Sequence, residues 1–195
     1  MKNIIYVFGI SGVGKTTLLS KLLEEFSDKI DYINFGTIMF EIGKAKHNLK
    51  TRDDIRKFDK ETYYSIFLEA VEQLEELVLL SEKKLVLIDT HILIDTSFGT
   101  FIGTPKHLIK KTTPNAVIFI SADPKEIIER IKSDKTRKRE DLLDLEKIKV
   151  RLYLTRNTSF IIAYETHAVF KEIVNRQGRL EEAYKELKHF IKNFL

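Results

Sequence analysis

Residues 3–17 read Asn-Ile-Ile-Tyr-Val-Phe-Gly-Ile-Ser-Gly-Val-Gly-Lys-Thr-Thr. Asn3–Phe8 is an unbroken apolar run, the pattern of a strand buried on both faces. Gly9–Thr16 satisfies G-x-x-x-x-G-K-[ST]. From Thr16 onward Leu18, Leu19, Leu22, Leu23 and Phe26 recur at helical spacing. Strand, glycine loop and helix in that order make a phosphate loop. The backbone N–H groups of Gly9, Ile10, Ser11, Gly12, Val13 and Gly14 turn inward and, with the helix N-terminus, hold phosphate oxygens. Lys15 reaches the outer phosphates of a nucleoside triphosphate, the Thr16 hydroxyl ligates Mg²⁺, and Thr17 beside it belongs to the same ATP-binding stretch.

Beyond this stretch, apolar runs alternate with amphipathic ones. Strands are predicted at Tyr32–Phe35, Leu85–Asp89, Ala116–Ile120 and Val169–Val174. Helices are predicted at Ile38–Lys46, Asp53–Leu80, Pro124–Lys132, Asp141 to about Phe160, and Leu180–Phe194. The alternation predicts an α/β protein: a five-stranded parallel sheet with helices on both faces, in three layers. Ligands of such sheets bind at the carboxyl ends of the strands. The 195 residues fit one phosphate-loop domain over residues 1–195, with small inserts near 36–80 and 130–141.

Composition excludes several classes. With 43% hydrophobic and 32% charged residues the chain is neither disordered nor a membrane bundle. No apolar run reaches the length of a membrane span. The N-terminal apolar stretch reads as a strand rather than a signal peptide, and the expected location is the cytoplasm. Absent cysteine excludes disulfides and thiolate metal sites. The net charge of +4 is mild for a nucleic-acid-binding protein. It is also local: Glu129–Arg139 holds six basic residues and two acidic ones, a surplus equal to that of the whole chain.

Further candidates surround the loop. Asp89, at the end of an apolar strand, suits the water shell of Mg²⁺ or the cap of the next turn. His91 follows two residues later. Arg130, Arg137 and Arg139 lie in the basic stretch that reads as a lid or as a solvated turn; arginine's planar fork grips phosphate in two places. Asn34-Phe35-Gly36-Thr37 combines a glycine for close approach with a hydroxyl that serves either an acceptor or a helix cap. Arg52 and Arg56, four residues apart, share one helix face. No guanine-recognition motif of the Asn-Lys-x-Asp type is present. A small-molecule kinase is the reading favoured here; an ATPase acting as an RNA-associated assembly factor, using Lys106, Lys110 and Lys111, is the alternative.

Taken in order, GISGVGKTT at Gly9–Thr17, NFGTIMFE at Asn34–Glu41, RDDIRKFD at Arg52–Asp59, IDTH at Ile88–His91, DKTRKRED at Asp134–Asp141 and NRQGRLEEAYKEL at Asn175–Leu187 resemble the archaeal type of adenylate kinase. The resemblance implies Mg²⁺-dependent conversion of ATP and AMP into two ADP, an acceptor-binding helical segment, a short lid and often a homotrimer. By position it implies Lys15, Arg56, Arg137 and Arg139 as catalytic cations, and Thr16 and (through water) Asp89 at the metal. It implies Gly36, Thr37, Arg52, Arg56, Asp89 and His91 around AMP. Arg130, Asn175 and Gly178 would border the ATP adenine, and Arg156 would complete the arginine cluster. The sequence departs from the family pattern at Ile42, over Ile92–Pro105, and in NTSFIIAY after Arg156. UMP or CMP therefore stand as alternative acceptors.

Overall fold

A computed structural model describes residues 2–104, 106–133 and 143–195. Five strands, β1 (Asn3–Phe8), β2 (Ile30–Asn34), β3 (Leu85–Asp89), β6 (Ala116–Ser121) and β7 (Val169–Val174), form one sheet. Its order is β2-β3-β1-β6-β7, and all of its pairings are parallel. Alternation along the strands divides the core in two. Tyr6, Phe8, Val86, Ile88, Val117 and Phe119 point to one face and pack on α2 (Phe35–His47) and α3 (Lys60–Leu80). Ile5, Val7, Leu85, Leu87, Ile118 and Ile120 point to the other, against α1 (Lys15–Phe26), α5 (Pro124–Ser133) and α7 (Leu180–Lys192). Continuous apolar runs are what a strand needs when both faces are covered. The long α6 (Leu145–Thr166) touches both layers, through Ile148 and Ile162.

β1 is the switch point. The chain leaves it to build β2 and β3 on one side, then returns to add β6 and β7 on the other. A crevice opens at the carboxyl ends where the direction reverses. The register brings the ends of β1, β2 and β3 level there, with Asp89 opposite both Val7 and Asn34.

Several predicted boundaries move, each for a local reason. The second strand ends at Asn34, and Phe35 is already helical, because the Asn34 side chain accepts the Thr37 N–H and caps α2. The helix predicted over Asp53–Leu80 is broken. Arg52–Lys57 is a 3₁₀ turn closed by a Thr51–Asp54 capping box, and α3 starts at Lys60 because Asp59 caps it by accepting from Thr62 N–H. Asp144 accepts from the Glu146 and Lys147 N–H groups and starts α6 at Leu145. The Ile92–Pro105 stretch, which departs from the family pattern, contains a hairpin of β4 (Leu93–Thr96) and β5 (Gly99–Ile102), followed by the short α4 (Lys106–Lys111). Within the basic stretch, Glu129–Ser133 forms the last turns of α5; Arg137 and Arg139 lie outside the described residues.

Candidate nucleotide site

The phosphate loop is braced from behind. Gly12 and Gly14 sit at φ 86° and 82°, a left-handed conformation that side chains with a Cβ adopt only under strain. A Cβ at Gly14 would also collide with the Asn175 carboxamide. That buried carboxamide donates to the Val13 carbonyl at 2.8 Å. Arg130, from α5, donates to the carbonyls of Val13 (3.4 Å) and Asn175 (2.9 Å) and to Gln177 Oε1 (3.0 Å). It also pairs with Glu126 at 3.1 Å. The loop carbonyls are thus drawn outward and satisfied there. Gly178 is exposed, with φ 72° and open space around it.

Lys15 and Asp89, 7% and 1% exposed, form a buried ion pair at the head of the loop. Asp89 Oδ2 further accepts from Tyr32 OH at 2.7 Å and from Asn34 Nδ2 at 2.8 Å. Burial pushes the Asp89 carboxyl up, but the Lys15 ammonium and the hydrogen bonds from Lys15 and Tyr32 outweigh it and hold it below the ordinary carboxylate range. The same ammonium, together with burial, pushes the His91 imidazole down to about 3. His91 is therefore neutral at pH 7, and its Nδ1–H donates to the Gly9 carbonyl at 2.9 Å. It fixes the loop and lines the crevice without adding charge.

The acceptor side is built by α2, the 3₁₀ turn and the hairpin. Arg52 Nη2 donates to Thr37 Oγ1 at 2.5 Å, so Thr37 stands behind Arg52 rather than on the wall. Arg56 lies 3.9 Å from Asp53. The hairpin is tied to this turn: Ser97 N–H donates to the Arg56 carbonyl (2.9 Å) and Ser97 Oγ to the Phe58 carbonyl (2.7 Å). Phe98 and Phe101 set their edges against Tyr63 at 5.6 and 5.0 Å. Leu93, Ile94 and Asp95 thereby become a wall of the site.

Sequence reading missed Arg151. It projects from α6 into the crevice, where it forms an ion pair with Asp95 of the hairpin. Burial, and then the neighbouring Arg56, push its guanidinium pKa down. Arg156, expected to complete the cluster, instead pairs with Glu172 at 2.7 Å on the exposed edge beside β7. Arg151 lies three and four residues from the buried Ile148 and Thr155 and so shares the inward face of α6, whereas Arg156 is turned away from it. Lys106 and Lys111 are likewise paired, with Glu165 (3.7 Å) and Glu75 (2.8 Å).

Gly12, Gly14, Lys15, Thr16, Thr17, Gly36, Arg52, Arg56, Asp89, His91, Arg130 and Arg151 thus line one cavity of about 590 Å³. Five of these residues are cations of the phosphate-gripping kind. A parallel sheet switching at β1, a phosphate loop on that strand and a cationic crevice over it define a phosphate-loop nucleotide-binding protein.

A family model described as an AAA domain matches residues 8–149. An adenylate kinase of Saccharolobus solfataricus is 36% identical over 176 residues, covering 88% of this chain and 90% of its own. Those of Methanocaldococcus jannaschii (33%; 98% and 100%) and Methanococcus aeolicus (32%; 95% and 95%) match over nearly full length. The chain belongs to the adenylate kinase family of the archaeal type. Among solved structures, TT1252 of Thermus thermophilus superposes with a TM-score of 0.64 at 17% identity over 100% of this chain and 98% of its own. A sugar kinase of Janibacter does so at 0.58 and 12%, over 98% and 95%. Both share the fold.

Proposed function

We propose that the protein catalyses reversible transfer of the terminal phosphoryl group of ATP to AMP, giving two ADP. The observation that carries this reading is the single cavity holding both a phosphate loop and a second set of arginines, Arg52, Arg56 and Arg151, across from it. One nucleotide accounts for the loop; the second arginine set answers to a second phosphate-bearing substrate. An AMP phosphate oxygen attacks the γ-phosphorus in line, and the bond from that phosphorus to the β–γ bridging oxygen breaks. The acceptor is already an anion, so no general base is required. Lys15 exchanges Asp89 for donor phosphate oxygens. Arg56 and Arg151 flank the transferred group, and Arg52, steadied by Thr37, holds the acceptor. Catalysis on this account is positioning and charge neutralisation.

Mg²⁺ fits the residues present. Thr16 and Asp89 offer hard oxygens on one wall, and Mg²⁺ ordinarily takes few protein ligands and keeps several waters. Both Asp89 oxygens already have protein partners, which suits contact through water. When bound, the ion neutralises charge on the donor phosphates. Arg137 and Arg139, outside the described residues, keep the lid role that the family resemblance implies. Residues 36–80 together with the hairpin act as the acceptor segment.

No described helix is long and apolar enough to cross a membrane; we read the protein as cytoplasmic. Val150, Tyr153, Leu154, Ile161 and Tyr164 form an exposed stripe on the outer side of α6. The stripe supports association of copies into the homotrimer that the family resemblance implies. The function is tested by supplying Mg-ATP with AMP, CMP, UMP or GMP and separating the products. AMP gives the fastest ADP formation, two ADP per ATP consumed. Faster phosphorylation of UMP or CMP, or phosphate release without any acceptor, would replace the assignment.

A further inference from the structure

Asn34 belongs to no step described so far, yet its side chain makes four hydrogen bonds within the site. Nδ2 donates to Asp89 Oδ2 at 2.8 Å and to Tyr32 OH at 3.2 Å. Oδ1 accepts from Thr37 N–H at 2.9 Å and from Thr37 Oγ1 at 3.1 Å. A carboxamide has two N–H donors and two acceptor lone pairs, so all four places are taken. Its orientation follows from the partners. Turned over, it would set its oxygen against the Asp89 carboxylate and its N–H₂ against the Thr37 N–H.

Two chains of contacts meet in this group. Toward the donor nucleotide runs Asn34–Asp89–Lys15. Toward the acceptor runs Asn34–Thr37–Arg52. A helix N-cap alone would be served equally by Asp, Ser, Thr or Asn. The contact with Asp89 narrows the choice: Asp would place a second carboxylate against the first, and Ser or Thr is too short to bridge while capping. Asn alone accepts from the helix and donates to the acid.

We propose that Asn34 is a positioning residue that couples the two halves of the site, so that seating the donor phosphates at Lys15 and Asp89 sets the position of Thr37 and Arg52 for the acceptor. This inference rests on the two-nucleotide reading above. Coupling of this kind is reciprocal and measurable as a ratio of affinities.

The test is calorimetric titration of AMP with and without a non-transferable ATP analogue and Mg²⁺, on wild type, Asn34→Asp and Asn34→Ser. Both variants keep a cap acceptor for Thr37 N–H. The wild type binds AMP several-fold more tightly when the analogue is present. In both variants that ratio falls toward one, and kcat drops at least tenfold, while thermal midpoints stay within a few degrees of wild type. A wild-type ratio or kcat in either folded variant makes Asn34 a helix cap and overturns the proposal. So does a wild-type protein without any coupling, or the failure of both variants to fold. A wild type that makes no ADP from ATP and AMP defeats the two-nucleotide reading itself, which separates the two failures.

Discussion

Replacing Lys15 by Ala lowers turnover at least about a hundredfold, the scale of losing one preorganised charge-stabilising group at a transferring centre. The structure adds a second consequence. Asp89 is 1% exposed and loses its counter-charge. Breaking a buried pair from one side destabilises by roughly 3–5 kcal/mol. Tyr32 and Asn34 still donate to the orphaned carboxylate, so the low end applies. In a chain this size that lowers the melting temperature by about 6–12 °C. Adding Asp89→Asn removes the unpaired charge, and the double variant recovers most of the lost melting temperature while turnover stays low. Calorimetry and a coupled assay on the same three proteins check both halves. Turnover near wild type in Lys15→Ala would remove the phosphate loop from the mechanism.

The second large effect is expected at Arg151. Its guanidinium forms an ion pair with Asp95 across the acceptor cavity and stands beside Arg56. Arg151→Ala removes a cation from the transferring group and leaves Asp95 as an unpaired anion facing the acceptor phosphate. The expected result is a kcat about 10²–10³ lower, with a raised KM for AMP and a KM for ATP near wild type. Arg151→Ala with Asp95→Asn lowers the KM for AMP again without restoring kcat, because the repulsion is gone but the cation is not returned. Arg151→Lys remains impaired, since an ammonium lacks the planar fork. Arg156→Ala, whose side chain pairs with Glu172 outside the cavity, keeps wild-type kinetics. A loss at Arg156 with none at Arg151 would reverse the assignment.

These two residues also mark what sequence can show. Lys15 sits in a local pattern: apolar strand, glycines at fixed offsets, lysine and hydroxyl at a helix start. Every part of it lies within about one loop of the next, and the physics is local. Asp89 was legible for the same reason, as the first polar residue after a buried run. Arg151 was not. α6 carries apolar side chains both where it is buried, at Ile148 and Ile162, and where it is exposed, at Tyr153, Leu154 and Ile161. Its pattern therefore does not say which face meets the core, and packing through Ile148, Thr155, Ser159 and Ile162 sets the face that carries Arg151.

The hairpin shows another kind of miss. Leu93-Ile94 and Phe101-Ile102 stand on either side of a short, mostly polar stretch containing Gly99, a turn signal readable in the sequence. What holds the hairpin over the cavity is non-local: Ser97 on the carbonyls of Arg56 and Phe58, Asp95 on Arg151. Tyr32 and Asn34 both fall in the predicted strand Tyr32–Phe35, and only the parallel register with β3 sets them beside Asp89.

One cavity brings a donor and an acceptor adenine nucleotide together. Giving the protein ADP and Mg²⁺ alone puts this to the test. Two bound ADP molecules occupy both halves of the site, so the account predicts ATP and AMP formed in equal amounts, abolished in Lys15→Ala. An enzyme for another monophosphate, or an ATPase, makes neither from pure ADP, and the absence of both products would contradict the account.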